Sequence, residues 1–480
     1  MGVKDEVLLK TSNAYAFYKD NYKRLSETNK NLNKEIKLYK MHINLMNREL
    51  KEKRNELNSK KRTIRSLESD VKQKNKHIKF LENEFTNMSD TLEENSKLKT
   101  HEEYRDLIEA FEHRMRALNS SHKKELKDLN IGYVLRGFPI LSETFIVSEV
   151  RWLIENGFNV KVFTFIDSYK PVTLDFFVEN IRYKTNMELK TELLRNDIDL
   201  VHTHFVYPTC TENTYPVCEE LGIPFTVFAH AYDIFRHNED RINKIGEISQ
   251  SPYCKAVFTL SEYHKNYLMK RHVVEDKIVI TKQASDYELQ PIEMKTGEIK
   301  NIISISRLVE KKGLDDLIDA AKLLEGEDFE FSIYGFGDQQ KHLQEKIDEL
   351  ECKNISLKGE LEHNEVGDLL KNSDLLVAPC KIDKDGDRDG FPTVIFEAMA
   401  AGLPVLTTDV SAIPELISDG VNGFLTPSKK PELLAERIKQ IATISNEDLF
   451  KIRKQAQHDV KDISSVDKTM EKYIETIDSL

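Results

Sequence analysis

Between residues 130 and 460, short apolar runs alternate with amphipathic stretches of helical period, and this alternation constrains the fold more than any other feature of the chain. Ile131-Gly-Tyr-Val-Leu leads into a helix expected from Ser142 to Glu155, Gly157 stops it, and Val160-Lys-Val-Phe-Thr-Phe returns as a strand. Leu200-Val201, Phe225-Thr-Val-Phe, Ala256-Val-Phe-Thr-Leu and Lys277-Ile-Val-Ile continue the series. A second series starts at Asn301-Ile-Ile-Ser-Ile-Ser and runs through Glu330-Phe-Ser-Ile-Tyr, Ile355-Ser-Leu, Asp374-Leu-Leu-Val-Ala and Pro404-Val-Leu-Thr. Strands apolar along their whole length are covered on both faces, as in parallel sheets joined by helical crossovers. Two series, parted by the polar segment 286–300, predict an α/β protein with two Rossmann-like, doubly wound domains facing a cleft. Ligands of such sheets sit beyond the carboxyl ends of the strands, so both domains are expected to offer loops to that cleft.

Upstream of residue 130 the pattern is different. Proline and glycine almost vanish, and Ile36, Ile43, Leu50, Leu57, Ile64, Val71, Ile78, Phe85 and Leu92 recur at an unbroken seven-residue interval. Nine heptads in register predict a coiled coil. The companion positions are mixed, with Tyr39, Met46, Leu67, Leu81 and Met88 apolar but Lys53, Lys60, Lys74 and Asn95 polar, so the pattern leaves the oligomeric state open. A continuous helix over 36–95 would extend roughly 90 Å at about 1.5 Å per residue. Residues 31–80 carry fifteen Lys or Arg against six Asp or Glu, and residues 81–110 carry three against nine. A solvated coiled-coil exterior accounts for these charges; a sharper reading sets the basic stretch beside anionic lipid or polymer. The expected partners of this region are a second copy of the chain and, on the sharper reading, a membrane surface.

The net charge of −12 argues against a chain-wide nucleic-acid binder. The five cysteines, 210, 218, 254, 352 and 380, contain no Cys-x-x-Cys pair and indicate neither a disulfide framework nor a zinc ribbon, which fits a reducing compartment. No apolar run approaches bilayer-spanning length, and Met-Gly-Val-Lys-Asp-Glu at the N-terminus lacks both an apolar signal region and the hydroxyl that myristoylation prefers. The expectation is a cytoplasmic protein, soluble or peripheral at the cytoplasmic membrane face.

The chemistry concentrates in residues 389–406, Asp-Gly-Phe-Pro-Thr-Val-Ile-Phe-Glu-Ala-Met-Ala-Ala-Gly-Leu-Pro-Val-Leu. An apolar strand ending at Pro379 precedes it, Pro392 fits the first turn of a helix, and Gly402 fits its C-terminus. A strand–loop–helix unit of this kind aims unpaired N–H groups and the positive helix dipole into the crevice, and Glu397, about one turn in, can accept hydroxyl groups. Arg307 and Lys312, in Ser-Arg-Leu-Val-Glu-Lys-Lys-Gly, lie just past the first strand of the second domain. Alone they read as a solvated turn; beside the 389–397 block they read as a cationic pair for a diphosphate. They also answer an electrostatic difficulty, because the loop Asp383-Lys-Asp-Gly-Asp-Arg-Asp would repel a diphosphate unless cations intervene. That loop imitates the opening of an EF-hand from Asp385, but its twelfth position is Phe396 rather than Glu, which makes calcium a minor reading.

In the first domain His230, within Phe-Ala-His-Ala-Tyr-Asp, follows a strand and is expected at the cleft rim, in reach of a sugar hydroxyl or of developing charge; a structural histidine is the plainer alternative. His202 and His204 share one face of a strand, but without a readable third ligand a metal is not favoured. Arg136-Gly-Phe-Pro-Ile-Leu-Ser-Glu-Thr-Phe-Ile lacks Gly-x-Gly-x-x-Gly. Ser142 is its expected N-cap, and Arg136, Ser142, Glu143 and Thr144 are its candidates for facing the cleft.

Four ordered blocks together resemble glycosyltransferase family 4, the retaining, nucleotide-sugar-dependent enzymes of the GT-B fold, and within it the colanic-acid and exopolysaccharide type. They are Phe138-Pro-x-x-Ser-Glu-Thr-Phe-Ile, Phe228-Ala-His-Ala-Tyr-Asp-Ile, Arg307-Leu-Val-Glu-Lys-Lys-Gly, and Gly386-Asp-Arg-Asp-Gly-Phe-Pro through Ile413-Pro-Glu-Leu. The resemblance covers roughly residues 130–460 and leaves the coiled coil as an added module. The heptads assign a helical coiled-coil region over 1–125, and the resemblance implies an acceptor-side Rossmann-like domain over 126–290 and a nucleotide-sugar-binding domain over 291–480 whose last helix, near 464–480, packs back on the first domain. It implies that Arg307 and Lys312 bind the donor diphosphate, that Glu397 holds the ribose, and that Asp389 contacts the donor sugar where the family has Glu. Backbone around Gly390, Phe391, Pro392 and Thr393 would cradle sugar and phosphate, Pro392 having no N–H to offer, and His230 would be the cleft histidine. Gln283-Ala-Ser-Asp-Tyr replaces a loop glycine common in the family.

The implied reaction moves a sugar from a UDP- or GDP-linked donor to a glycan or lipid-linked glycan acceptor with retention, by front-face attack, with no cofactor and no metal. His230, Arg307, Lys312 and Asp389 are the expected catalytic set. A non-catalytic coiled-coil scaffold with a sugar-binding module is the alternative, kept open by Asp389; a glucan phosphorylase ranks last, lacking a cofactor-lysine signature.

Overall fold

The computed structural model describes residues 105–114, 125–140, 143–168, 173–236, 244–285, 287–294 and 297–478. The heptad segment 36–95, and with it the expected coiled coil, lies outside the described residues, as does Ser142.

The described helices are α1 (residues 105–114), α2 (Thr144–Glu155), α3 (Asn186–Arg195), α4 (Tyr215–Leu221), α5 (Ile245–Gln250), α6 (Glu262–Lys270), α7 (Leu314–Leu323), α8 (Gln340–Glu349), α9 (His363–Asn372), α10 (Thr393–Ala401), α11 (Pro431–Ala442), α12 (Asn446–Ile463) and α13 (Val466–Asp478). The first sheet contains β1 (Asn130–Leu135), β2 (Asn159–Thr164), β3 (Glu179–Arg182), β4 (Leu200–His204), β5 (Phe225–Phe228), β6 (Cys254–Thr259) and β7 (Ile278–Ile280). The second contains β8 (Asn301–Ile305), β9 (Glu330–Tyr334), β10 (Ile355–Gly359), β11 (Leu375–Ala378), β12 (Val405–Thr408) and β13 (Phe424–Thr426).

All strand pairings in both sheets are parallel, in the orders β3-β2-β1-β4-β5-β6-β7 and β10-β9-β8-β11-β12-β13. Central strands such as β4, β5, β11 and β12 are buried at every position, as helices on both faces require. The edge strand β3, Glu-Asn-Ile-Arg, is polar and largely exposed, so no apolar run announces it.

One apolar core lies on the outer face of each sheet, and a third runs between them. That third core joins Phe228 and Phe258 of the first sheet to α10 and to Met470, Tyr473 and Ile477 of α13. After α12 the chain returns to the first domain, where α13 packs against α2. Tyr473 lies edge-on to His202, with ring centroids 4.9 Å apart, and Trp152 donates Nε1–H to Asp467 at 2.6 Å. Among the described residues no helix is long and apolar enough to cross a membrane, and the five cysteines are buried free thiols.

Candidate functional site

Strand order places the candidate residues. In the first sheet it reverses between β1 and β4, in the second between β8 and β11, and crevices open beyond the strand ends at such points. Arg136 follows β1 and His204 ends β4; Arg307 follows β8, and the loop carrying Asp389 follows β11.

In the second domain a glycine brings the lysines to the acid loop. Gly313 adopts φ of 66°, and a Cβ there would lie 1.9 Å from the Pro379 carbonyl oxygen, so only glycine lets the turn Glu310–Lys312 pass this close to the end of β11. The Lys381 N–H then bonds to the Lys311 carbonyl at 2.8 Å. Lys311, only 4% exposed, sets its ammonium 3.1 Å from Asp387 and 3.3 Å from Asp389, and Lys312 sets its own 2.7 Å from the other oxygen of Asp389. The buried Cys380 thiol donates to Asp389 at 3.7 Å, and burial pushes that thiol up to about 12.

Burial alone would raise the Asp389 carboxyl, but Lys312 and Lys311 outweigh it and hold the pKa at about 2. Burial works against the Lys312 ammonium as well, and Asp389 overcomes it, so the lysine pKa is raised. The pair is therefore ionised at neutral pH. Asp387 is raised by burial, which Lys311 only partly offsets. Asp383 accepts the N–H groups of Asp385 and Asp387, each at 2.9 Å. The cations that this acid loop requires are thus built in, and one of them, Lys311, was missed as a site residue. Its signal was the tandem Lys311-Lys312 directly before a glycine.

Helix α10 begins at Thr393, with Pro392 as the residue just outside it rather than in its first turn, and Gly402 at φ of 67° closes it. Ile395 N–H bonds back to the Pro392 carbonyl, while the N–H groups of Thr393 and Val394 belong to the helix start and have no intrahelical acceptor. Glu397 lies half-buried one turn along. Tyr287 stacks flat on Phe396 with centroids 5.6 Å apart, and its phenol is raised first by burial and then by the Glu397 charge. Arg307 is exposed and close enough to Lys312 to oppose its charge.

The loop 388–391 docks on the start of α6 in the first domain. A Cβ on Gly390 would lie 2.8 Å from His264 Nε2, Arg388 donates to the Tyr263 hydroxyl at 2.7 Å, and the Lys282 ammonium lies 4.7 Å from the centre of the Phe391 ring. Glu415 accepts the N–H groups of Glu262 and Tyr263 at 3.0 and 2.7 Å, so a carboxylate of one domain caps a helix of the other.

On the first domain, Arg136 is exposed, and its carbonyl accepts the Phe165 and Ile166 N–H groups. Glu143, not Ser142, stands at the N-cap of α2, without a side-chain capping bond. Burial raises the Glu143 carboxyl, while His204 and Arg136 pull it down, so these three groups share one neighbourhood. Thr144 is exposed at the first residue of α2. His230 sits past the end of β5 but is enclosed rather than open at a rim, being 5% exposed among Phe145, Phe205 and Phe228. Burial, followed by His204 and His264, drives its pKa well below the usual range, so its imidazole is neutral at neutral pH. Its Nε2 lies 3.0 Å from His204 Nδ1.

Two parallel Rossmann-like sheets, with candidate groups at both switch points, constitute a GT-B fold. The crystal structure of Anabaena HepE in complex with UDP and glucose shares it, with a TM-score of 0.60 at 17% identity over 73% of this chain and 100% of that one. A glycosyltransferase from Rickettsia africae superposes with a TM-score of 0.57 at 18% identity, over 72% and 97% of the two chains. Residues 142–283 match the model of Glycosyltransferase Family 4, and residues 288–459 match that of Glycosyl transferases group 1, so the chain carries these two glycosyltransferase domains in tandem. Among curated relatives, an Escherichia coli K12 glycosyltransferase named for colanic acid biosynthesis, WcaL, is 23% identical over 69% of this chain and 95% of its own length. The amylovoran biosynthesis glycosyltransferase AmsK of Erwinia amylovora is 30% identical over 49% of this chain and 60% of its own length.

Proposed function

We propose that the chain is a retaining glycosyltransferase that moves a sugar from a UDP- or GDP-linked donor to a glycan or lipid-linked glycan acceptor in surface-polysaccharide synthesis. The observation that carries this reading is the charge arrangement at the β8–β11 switch point. Lys311 and Lys312 offset the charges of Asp387 and Asp389, which lets Arg307, Lys312 and the start of α10 receive a diphosphate. Support comes from a structural relative crystallised with UDP and glucose and from relatives named for colanic acid and amylovoran biosynthesis.

In this reading Arg307 and Lys312 bind the diphosphate, Glu397 takes the ribose hydroxyls, and the backbone of Gly390, Phe391 and Thr393 lines the sugar and phosphate, with Pro392 setting the helix entry. Asp389, ionised and clamped by two lysines, orients Lys312 and accepts a donor-sugar hydroxyl. It is too acidic to serve as a base. The acceptor oxygen bonds to the anomeric carbon on the face the diphosphate leaves, the carbon–oxygen bond to phosphate breaks with its electron pair going to the diphosphate, and the acceptor proton passes to that oxygen. Arg307 and Lys312 stabilise the charge as it develops. Arg136, Glu143 and Thr144 face the acceptor, with neutral His230 behind them. The resting chemistry uses no cofactor or metal at the diphosphate.

Arg307→Ala and Lys312→Ala are each expected to lower turnover by at least about a hundredfold, the scale of a lost charge-stabilising donor, and Glu397→Ala to lower kcat/KM by at least about tenfold through lost charge-assisted bonds to the ribose, with circular dichroism unchanged in all three. A calorimetric screen of UDP-, GDP- and ADP-sugars identifies the donor. Near-normal rates in all three variants sink the donor site.

A further inference from the structure

Glu149, His202 and His204 bring three ligating atoms together behind the acceptor-side loops, in a place the proposed transfer does not use. His202 and His204 project from one face of β4, and Glu149 descends on that face from α2. Glu149 Oε2 lies 2.9 Å from His204 Nε2 and 3.9 Å from His202 Nε2, and the two imidazole Nε2 atoms are 3.2 Å apart. None of the three residues is more than 3% exposed.

Hydrogen bonds alone hold this triangle unevenly. A proton on His204 Nε2 directed at Glu149 reaches the bare Nε2 of His202 only as the second branch of a shared bond. A proton on His202 Nε2 directed at His204 instead leaves a bare nitrogen against a carboxylate oxygen. The third edge is too long for a hydrogen bond. A cation within the triangle satisfies all three atoms at once.

The surroundings are prepared for one. His202 Nδ1 lies 2.7 Å from Thr226 Oγ1 and His204 Nδ1 lies 3.0 Å from His230 Nε2, so both rings are held by their outer nitrogens with Nε2 turned inward. Bonds of this kind orient metal-ligating histidines. Tyr133 donates to Glu149 Oε2 at 3.3 Å, while Oε1 of the same carboxylate is buried without a partner. A tetrahedral zinc ion with bonds of about 2.0–2.1 Å spaces its ligand atoms about 3.3–3.4 Å apart, inside the range of the three edges. Two imidazoles and a carboxylate suit that ion.

We propose that Glu149, His202 and His204 bind a zinc ion that ties α2 to β4, with Glu149 Oε1 or a water completing the coordination. With zinc on Nε2, His204 carries its proton on Nδ1 and donates it to His230 Nε2, and His230 then keeps its own proton on Nδ1. The ion is a positioning element in the first domain, separate from the diphosphate site of the second.

The test is the metal content of the full-length chain, purified without chelators or nickel resin. One zinc per chain is expected, and chelation should lower Tm, with recovery on adding Zn²⁺ but not Mg²⁺. Cobalt replacement should give the visible absorption of a tetrahedral site, which Glu149→Gln and His202→Asn lose. If those variants fail to fold, the chelation and cobalt measurements on the native chain still decide. A folded chain that contains no zinc, takes up none and shows no Tm shift overturns the proposal and leaves a hydrogen-bonded relay. Full zinc content in a folded Glu149→Gln variant overturns it equally. Neither readout involves a nucleotide sugar, so the outcome is independent of the transferase reading.

Discussion

Lys311 shows how a single side chain sets the charge balance at the β8–β11 switch point. Without its ammonium, Asp387 and Asp389 would stand together with only Lys312 between them, and both carboxylates are largely removed from water. Removing one partner of a buried ion pair typically costs about 3–5 kcal/mol, because the remaining charge is left uncompensated. Lys311→Met should therefore destabilise the chain by about that amount at neutral pH, as measured by urea unfolding. The pH dependence has a definite sign. Asp389 titrates at about 2 when folded, below its unfolded value of about 3.9, so its pairing adds stability above about pH 4 and loses it as the pH falls toward 2. The Lys311→Met deficit should narrow over that window, and a deficit that stays constant from neutral pH to about pH 3 would refute the coupling.

At the scale of elements, the loop after β11 and the N-terminal turn of α6 form a joint between the domains. Gly390 meets His264 with no room for a methyl group, and His264 is itself buried, its pKa lowered to about 3 by burial ahead of Lys282 and Arg388. Gly390→Ala must push the loop off α6 at a cost of about 1–3 kcal/mol, the usual penalty of overpacking, and should lower activity if the proposed sugar cradle shifts with it. His264→Ala in the same chain vacates the contested space, so the double variant should regain most of the lost stability; a double variant no better than Gly390→Ala would mean that the strain lies elsewhere. The sequence carried one half of this joint. Asp389-Gly-Phe-Pro and the apolar run before it announced a strand–loop–helix unit from residue chemistry alone, and the alternation of strands and helices announced both sheets. The partner surface on α6 was not legible, because Glu262, Tyr263 and His264 read locally as an ordinary helix start and acquire meaning only through contacts more than a hundred residues away. The polar edge strand β3 and the three-residue β13 were likewise invisible, since neither has an apolar run long enough to show a period. Glu149 was hidden for a related reason: it completes the histidine pair only because α2 crosses β4, and a helix–strand crossing leaves no spacing in the chain.

At the scale of the whole molecule, the chain passes between the domains twice: through the linker before β8, and through α13, which crosses back to the first domain. Helix α13 buries Val466, Met470, Tyr473 and Ile477, and each such side chain contributes about 1.5–3 kcal/mol when fully removed from water. Together these are comparable with the roughly 5–15 kcal/mol that separates most folded domains from their unfolded state. The chain holds a single tryptophan, and it lies at this contact, donating to Asp467 from α2. Tryptophan fluorescence therefore reports on the return crossing. Asp467→Ala should keep the fold and shift the Trp152 emission as its indole N–H turns to water, whereas a chain ending at Ser464 should expose the apolar face of α2, bind hydrophobic dyes and lose cooperative unfolding. If the truncated chain instead stays soluble and unfolds at the native midpoint, α13 is an appendage, and the linker and the α6 joint suffice to hold the two sheets in register.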